Sequence, residues 1–503
     1  MDNPSMAQMK SDKGVMIKTR LVLAIGLVAS LVGCMTVGPD YTSPDQPLSV
    51  AQTADELTSI AVSQGETTGQ RSPDLDIAYL DARWWQQFKD EDLNTLVYAA
   101  LAGSPNIAAA QARVKAAYAV FSDVDDDAFP KGAVGAGYSA SKAPVAPDFA
   151  TRVKSENINA GLEAGWQLDL FGKVRRASEA AAADVQSQEA ALRSVKVEII
   201  TAVVKSYGEL RAAQKRVQIA EANLENLREV LNLTRLRYET GVGSELDLAR
   251  TQAEFSGNEA SVPPLRAQIK RALHHLQALT ALTPTQMAAL AVPKSIPAVN
   301  TALPIGNPRE LLLRRPDIQQ AERQLANATA QIGVATADLF PQVEMTGFLG
   351  FISSSGSNLG TSASQAWSIT PTLKWQVLDY GSLQARVRAA EANTDVVLAN
   401  YQQTVLSALE EASNALTTYD LDQQRFRFLL EQEKSSARAQ ALAQVRYKAG
   451  VIDLLDVLDT ERTRLSAEDT VALGELQVYQ GIAEIYRSLG GGWEGLENLA
   501  AND

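Results

Sequence analysis

The chain has 503 residues and a formal net charge of −13, and it is 46% hydrophobic but only 6% aromatic. Nucleic-acid binders show a basic face, so this balance argues against that class, and an apolar share carried by Ala, Leu and Val suits close-packed helices better than large globular cores. The two histidines, His274 and His275, are neighbours and point to different sides of a helix, which disfavours a shared metal site.

In chain order, residues 1–33 read as a lipoprotein signal peptide. "MIKTRLVLAIGLVASLVGC" has a basic start, a short apolar core and a small-residue cleavage site before Cys34, the only cysteine. Leu31, Val32, Gly33 and Cys34 resemble a bacterial lipobox, which implies diacylglycerol and an N-acyl group such as palmitate on Cys34; the alternative is a stray thiol after an ordinary signal sequence. Met16 fits as the true start, and Met35 lacks the aspartate that retains lipoproteins in the inner membrane, so the outer membrane is expected. The apolar run is too short to span a bilayer. No other stretch is long enough, so any further crossing must be made by strands. Residues 34–82, rich in Pro, Ser, Thr, Asp and Gln, read as a lipid-anchored linker.

The rest of the chain says the same thing twice. The first repeat, residues 83–282, reads as a helix, a strand at 131–141, a strand at 157–171, a long helix at 173–240 and a return helix at 244–280. The second, residues 311–490, reads as a helix, strands at 341–352 and 366–378, a long helix at 382–449 and a return helix at 452–489. Residues 283–310 form a proline-rich linker between them, and residues 491–503 a tail. The landmarks keep step: Phe129-Pro130 with Phe340-Pro341 at an offset of 211 (341 − 130), and "WQLDLFG" with "WQVLDYG" at 209 (375 − 166). This is a tandem duplication rather than a solenoid.

The strands alternate: in the second, Leu162, Ala164, Trp166 and Leu168 share one face. Four strands cannot close a transmembrane barrel, whose minimum is about eight. Two chains would give about eight strands and a filled interior, and three would give twelve and room for a pore. Each long helix has a reach of ~100 Å. Gly241 and Gly450 end them in the left-handed position of a helix C-terminus, and Pro263-Pro264 is expected to interrupt the first return helix.

The lipobox, "WWQQF", "RPDI", the "FP" before each strand pair, "DLFGK" and the twin turns "RYETGVGSELD" and "RYKAGVIDLLD" together resemble the TolC-like outer-membrane efflux proteins, NodT-like lipoprotein branch, over about residues 83–490. The resemblance implies a mainly α protein with a membrane β-barrel. Long antiparallel helices would form an α-helical barrel, and four strands per chain would enter a twelve-stranded trimeric transmembrane barrel. It implies a passive exit duct of a tripartite system: a homotrimer in outer-membrane lipid, served by a periplasmic adaptor and an inner-membrane RND-type pump, with no nucleic acid and no cofactor beyond the lipid on Cys34.

The same resemblance assigns the twin turns to the closed periplasmic tip. It implies that Asp456 and Asp459 ring the constriction and that Asp247 bonds Tyr447 to lock the hairpins; Ile452 stands where a lock arginine is usual. The bland readings are acidic residues favoured at a helix start and a tyrosine that merely packs. No GxSxG, HExxH, CxxC or P-loop occurs, so no enzyme is expected. The rival classes are a periplasmic adaptor, which carries one hairpin between β-domain halves, and a coiled-coil structural lipoprotein, which needs no tryptophan-bearing strands.

Overall fold

The computed structural model describes residues 36–44, 83–144, 152–297 and 314–493; Cys34 and its lipobox lie outside them. The chain forms two compact units, one of residues 1–43, 115–187 and 322–399, the other of residues 44–114, 188–321 and 400–503. The helices are α1 (Glu91–Gly103), α2 (Pro105–Asp125), α3 (Lys173–Glu239), α4 (Glu245–Thr280), α5 (Pro316–Ala337), α6 (Tyr380–Lys448) and α7 (Leu454–Ser488). The strands are β1 (Lys131–Pro144), β2 (Arg152–Leu168), β3 (Gln342–Ser353) and β4 (Gln365–Lys374). The protein is mainly helical, and among the described residues no helix is long and apolar enough to cross a membrane.

The first unit holds the sheet, antiparallel throughout in the order β1-β2-β3-β4. The duplication is visible in its register. Lys131 lies opposite Gly165 and Gln342 opposite Lys374, at offsets of 211 (342 − 131) and 209 (374 − 165). Each hairpin also closes on the same bond: Trp166 Nε1 donates to the Ala128 carbonyl at 2.9 Å, and Trp375 Nε1 to the Leu339 carbonyl at 3.1 Å.

Alternation gives the sheet two unlike faces. One row runs Val134, Leu162, Leu349, Trp367 across all four strands, and each of these side chains is exposed, Val134 at 87% and Trp367 at 75%. The opposite face is mostly polar or small, apart from Phe348 and Ile352 of β3, with the row Gly135, Gly161, Gly350, Ala366. Gly161 and Gly350 are required there, because a Cβ on either would meet the opposing backbone or the Phe348 ring within 3.0 Å.

Three strands end elsewhere than the sequence reading places them, and the first of these, β1, expected at 131–141, runs on to Pro144. The strand expected at 157–171 runs Arg152–Leu168, because Asp169 leaves the ladder to cap α3: its carboxylate accepts from the Val174 and Arg175 N–H groups, both at 3.1 Å. The strand expected at 366–378 stops at Lys374, and Val377–Asp379 tighten into a 3-10 turn that feeds α6. Residues 36–44 are tied to the start of α3. The buried Arg176 guanidinium donates to the Val37 carbonyl at 3.1 Å and to Asp40 at 2.6 Å, over Gly333, where a Cβ would meet the Arg176 side chain at 2.7 Å.

The second unit is built round the "WWQQF" turn. Trp84 stacks on Tyr486 at 4.7 Å and Phe88 packs on Tyr479 at 4.6 Å. Asp90 caps α1 through the Leu93 N–H and accepts from the Tyr207 hydroxyl at 2.6 Å; burial and that bond push the phenol's pKa up. Arg211, fully buried, donates to Asp92 at 2.7 Å and to the Val292 carbonyl at 2.8 Å. A charge taken out of water needs such partners. The described part of the expected linker is therefore docked: Met287, Leu290 and Ile296 are buried, and the Leu290 carbonyl accepts from Gln214.

Pro263-Pro264 does not interrupt α4, which is continuous from Glu245 to Thr280. Val262 and Leu265 on either side are buried against Val217 and Ala220, while the prolines face solvent. The carbonyls of Glu259 and Ala260, which lose their i+4 donors, belong to exposed residues that water can serve.

Gly208, inside α3, and Gly257, inside α4, make a matched pair. A Cβ at 208 would meet the Tyr479 ring at 2.5 Å, and one at 257 meets nothing within 4 Å. Helix propensity favours alanine at both by about 1 kcal/mol. Overpacking at 208 costs about 1–3 kcal/mol. Gly208→Ala is expected to lower the midpoint of thermal unfolding in detergent and Gly257→Ala to raise it; a rise in both would remove the close approach of Tyr479 as a packing constraint.

Candidate functional site

The site is the pair of helical turns in the second unit where the repeated "RY…G" stretches lie. Both turns are built alike. Gly241 and Gly450 take positive φ of 75° and 73°. Val242 N–H donates to the Arg237 carbonyl at 2.8 Å and Gly241 N–H to Tyr238 at 3.0 Å; Val451 and Gly450 repeat this on Arg446 and Tyr447, both at 2.9 Å. This six-to-one and five-to-two pattern is the Schellman motif, and it requires glycine at the left-handed position.

The return helices start differently. Ser244 caps α4, its hydroxyl accepting from the Asp247 N–H at 3.1 Å. Asp453 occupies the matching position of α7 and makes no side-chain cap. Leu454, Val457 and Leu458 turn inward, while Asp456 and Asp459 lie exposed on the other side of the same two turns. Leu454 and Leu458 pack on Leu227 of α3, with Phe255 of α4 and Tyr447 of α6 against them, so all four hairpin helices meet in one small apolar cluster.

The expected bond between Tyr447 and Asp247 is not formed. Arg237 Nη1 donates to the Tyr447 hydroxyl at 2.8 Å, and the guanidinium sits 5.5 Å from the centre of the Tyr447 ring. A cation over an aromatic face adds to the hydrogen bond. Tyr447 is thus satisfied by the arginine at the end of α3, and Asp247, half-buried one turn into α4, engages the chain through its backbone: its N–H on Ser244 and its carbonyl under Thr251 at 2.8 Å. The cation at Tyr447 is thus Arg237, a residue of the first copy. Sequence reading passed over it, although both copies place arginine just before the tyrosine.

Behind the turns, further polar contacts join the two hairpins. Arg462 of α7 donates to Glu254 of α4 at 2.6 Å. Within the second hairpin itself, the buried Glu461 of α7 accepts from Gln440 of α6 at 2.5 Å, and Arg464 bonds Glu468, one turn further along α7, at 2.9 Å. Arg216 of α3 grips Asp469 of α7 through two bonds, 2.6 and 3.0 Å. Half-buried bidentate pairs fix geometry more firmly than surface pairs. Among the described residues no group of three or more potential ligands could hold a metal ion.

With this geometry in view, comparison with known proteins is direct. The family model described as "Outer membrane efflux protein" matches residues 96–282 and 307–491. Nodulation protein T of Rhizobium leguminosarum bv. viciae is 30% identical over 481 residues, 94% of this chain and 93% of that protein. The probable efflux pump outer membrane protein TtgC of Pseudomonas putida is 29% identical over 94% of this chain and 96% of its own length. Among solved structures, the outer-membrane channel OprN matches with a TM-score of 0.83 and 43% identity, covering 91% of this chain and 99% of that one. The two strand pairs, the two helical turns and these matches have one reading: the chain belongs to the outer membrane efflux protein family, the TolC-like channels of the outer membrane.

Proposed function

We propose that three copies of this chain, each lipidated at Cys34, form the passive exit duct of a tripartite efflux system, receiving solutes from an inner-membrane RND-type pump through a periplasmic adaptor. The observation that carries this is the exposed apolar row Val134, Leu162, Leu349, Trp367 on a sheet whose two outer edges lack a partner among the described residues. In hydrocarbon every backbone N–H and C=O needs a partner, so such a sheet must close. Three copies supply twelve strands, wide enough for a lumen lined by the polar face. TtgC, named for an efflux pump, and CusC of Escherichia coli, named for a cation efflux system and 28% identical, support a pump-driven role. A periplasmic adaptor or a scaffold would need neither the apolar row nor two hairpins.

The oligomer and the anchor are tested by mass spectrometry of the detergent-extracted protein. The expected spectrum is three chains, each starting at Cys34 with diacylglycerol and an N-acyl chain. A stable monomer or dimer would rule out the twelve-strand closure, and an unmodified Cys34 thiol would rule out the anchor.

The tip is the gate in this reading, and the Arg237–Tyr447 contact is its lock. Tyr447→Phe keeps the ring under the guanidinium and loses the hydroxyl, at a cost of about 0.5–1.5 kcal/mol. Arg237→Ala loses both and is expected to loosen the tip further. Asp247→Ala leaves the contact intact. The expected order of resting conductance in planar bilayers, and of cell entry by a large antibiotic, is wild type and Asp247→Ala lowest, Tyr447→Phe above them and Arg237→Ala highest. An increase confined to Asp247→Ala would return the lock to the aspartate.

Asp456 and Asp459, exposed on one side of α7, become two stacked rings of three carboxylates if they face the threefold axis, ~4.5 Å apart along the helix. Crowded like charges gather cations. The closed pore is then cation-selective and blocked by divalent and trivalent cations from the periplasmic side. Asp456→Ala with Asp459→Ala should weaken both effects; unchanged selectivity and block would place the two carboxylates on a solvated outer surface.

A further inference from the structure

A closed sheet leaves open how its edges meet, and the duplication inside the chain supplies a template. We propose that β4 pairs with β1 of a second copy with Lys374 opposite Gly135, and that this register brings Arg386 of one copy onto Asp123 of the other. The proposal rests on the closed-sheet reading above and goes beyond it by fixing the register and the charges that set it.

The template is the junction between the two repeats of one chain, where β2 meets β3. There Gly165 lies opposite Thr346 and Gly161 opposite Gly350. The hairpins repeat at offsets of 209 for β2 to β4 and 211 for β1 to β3, and their internal registers agree residue for residue. Moving the β2–β3 pairing by those offsets puts Lys374 opposite Gly135 and Thr370 opposite Ser139.

The faces provide an independent check. In this register Leu373 opposes Ala136 and Ile369 opposes Ala140 on the apolar face, while Thr372 opposes Gly137 on the polar one. A slip of one residue would turn every β4 side chain onto the wrong face of its partner.

The charges complete the fit. At the internal junction Lys173, opening α3, bonds Asp338, just past α5, at 2.7 Å. The repeat equivalents are Ser382 in α6 and Asp127, just past α2. The lysine is therefore lost at the outer junction. One turn further along α6 stands Arg386, and one turn back in α2 stands Asp123; antiparallel helices set these at one level. Arg386 and Lys374 are exposed, and with Lys173, Asp338, Gln342 and Gln376 they line a cavity of about 190 Å³. Neither makes an ion pair within its own chain among the described residues. The matching acidic run, Asp123, Asp125, Asp126 and Asp127, has one lysine: Lys131 bonds Asp127 and lies 3.9 Å from Asp123, whose side chain is 85% exposed. A second copy brings excess carboxylates to unpaired cations at the same end of adjoining strands.

The test uses the full-length protein in outer-membrane fractions. β1 and β4 are the opposite edges of one chain's sheet, so a disulfide between them joins copies. Thr370→Cys with Ser139→Cys is expected to crosslink on oxidation, and the shifted pair Thr370→Cys with Ser141→Cys is not; each single variant controls for Cys34. Arg386→Glu should lose the trimer band that resists mild SDS, and adding Asp123→Arg should restore it. Crosslinking of the shifted pair alone would overturn the register, and crosslinking of neither pair would sink the closed sheet with it. An undiminished trimer in Arg386→Glu, or no rescue by Asp123→Arg, would overturn the charge pairing. Saturable binding of pyrophosphate to the assembled wild type, lost in Lys374→Gln with Arg386→Gln, would assign these cations to a soluble anion and would also overturn it.

Discussion

A β-sheet in hydrocarbon cannot end. Four antiparallel strands with two free edges and a row of exposed apolar side chains are, in this chain, an unfinished structure. Much else follows from that constraint. The sheet's row of small residues, Gly135, Gly161, Gly350 and Ala366, lets the neighbouring strands approach closely on one face. The helix-capping Asp169 and the indole bonds of Trp166 and Trp375 satisfy polar groups where strands hand over to helices. The duplication serves the same end, because two like hairpins per chain allow a small number of copies to complete a circle.

The repeats have nonetheless diverged where a tube needs its two halves to differ. At the turns the backbone is the same in both, down to the positive φ of the two glycines. The side chains are not. Ser244 faces Asp453 in the alignment of the copies, and Arg250 faces Asp459. The first copy therefore keeps a neutral cap and a positive charge, and the second turns acidic. Between them a first-copy arginine holds a second-copy tyrosine, so the contact joins unlike halves.

Much of the fold could be read from the sequence because its signals are local. Alternation around Trp166 and Trp375, the FP pairs and the glycines after long helical runs each act over a few residues. What could not be read depends on partners far apart in the chain. Tyr447 meets Arg237 rather than Asp247 because the end of α3 packs beside the end of α6, and no local pattern chooses between two polar neighbours across that distance. Pro263-Pro264 looks like a break because proline removes helix bonds, yet burial of Val262 and Leu265 outweighs that loss. The proline-rich stretch after residue 283 looks like a free linker, yet the buried Arg211 draws its carbonyls in. In each case tertiary contacts overrode a correct local tendency.

The two prolines of α4 also have a mechanical meaning. A helix resists bending through its ladder of backbone bonds, and two adjacent rungs are missing on the solvent side of α4. The corresponding helix α7 contains no proline and keeps its ladder whole. The two return helices therefore differ in stiffness, and a force that spreads the turns is taken up first in the first repeat. The chain would yield as a hinged strut beside a rigid one, and a ring of such chains, in the closed-sheet reading proposed above, would alternate compliant elements with stiff ones.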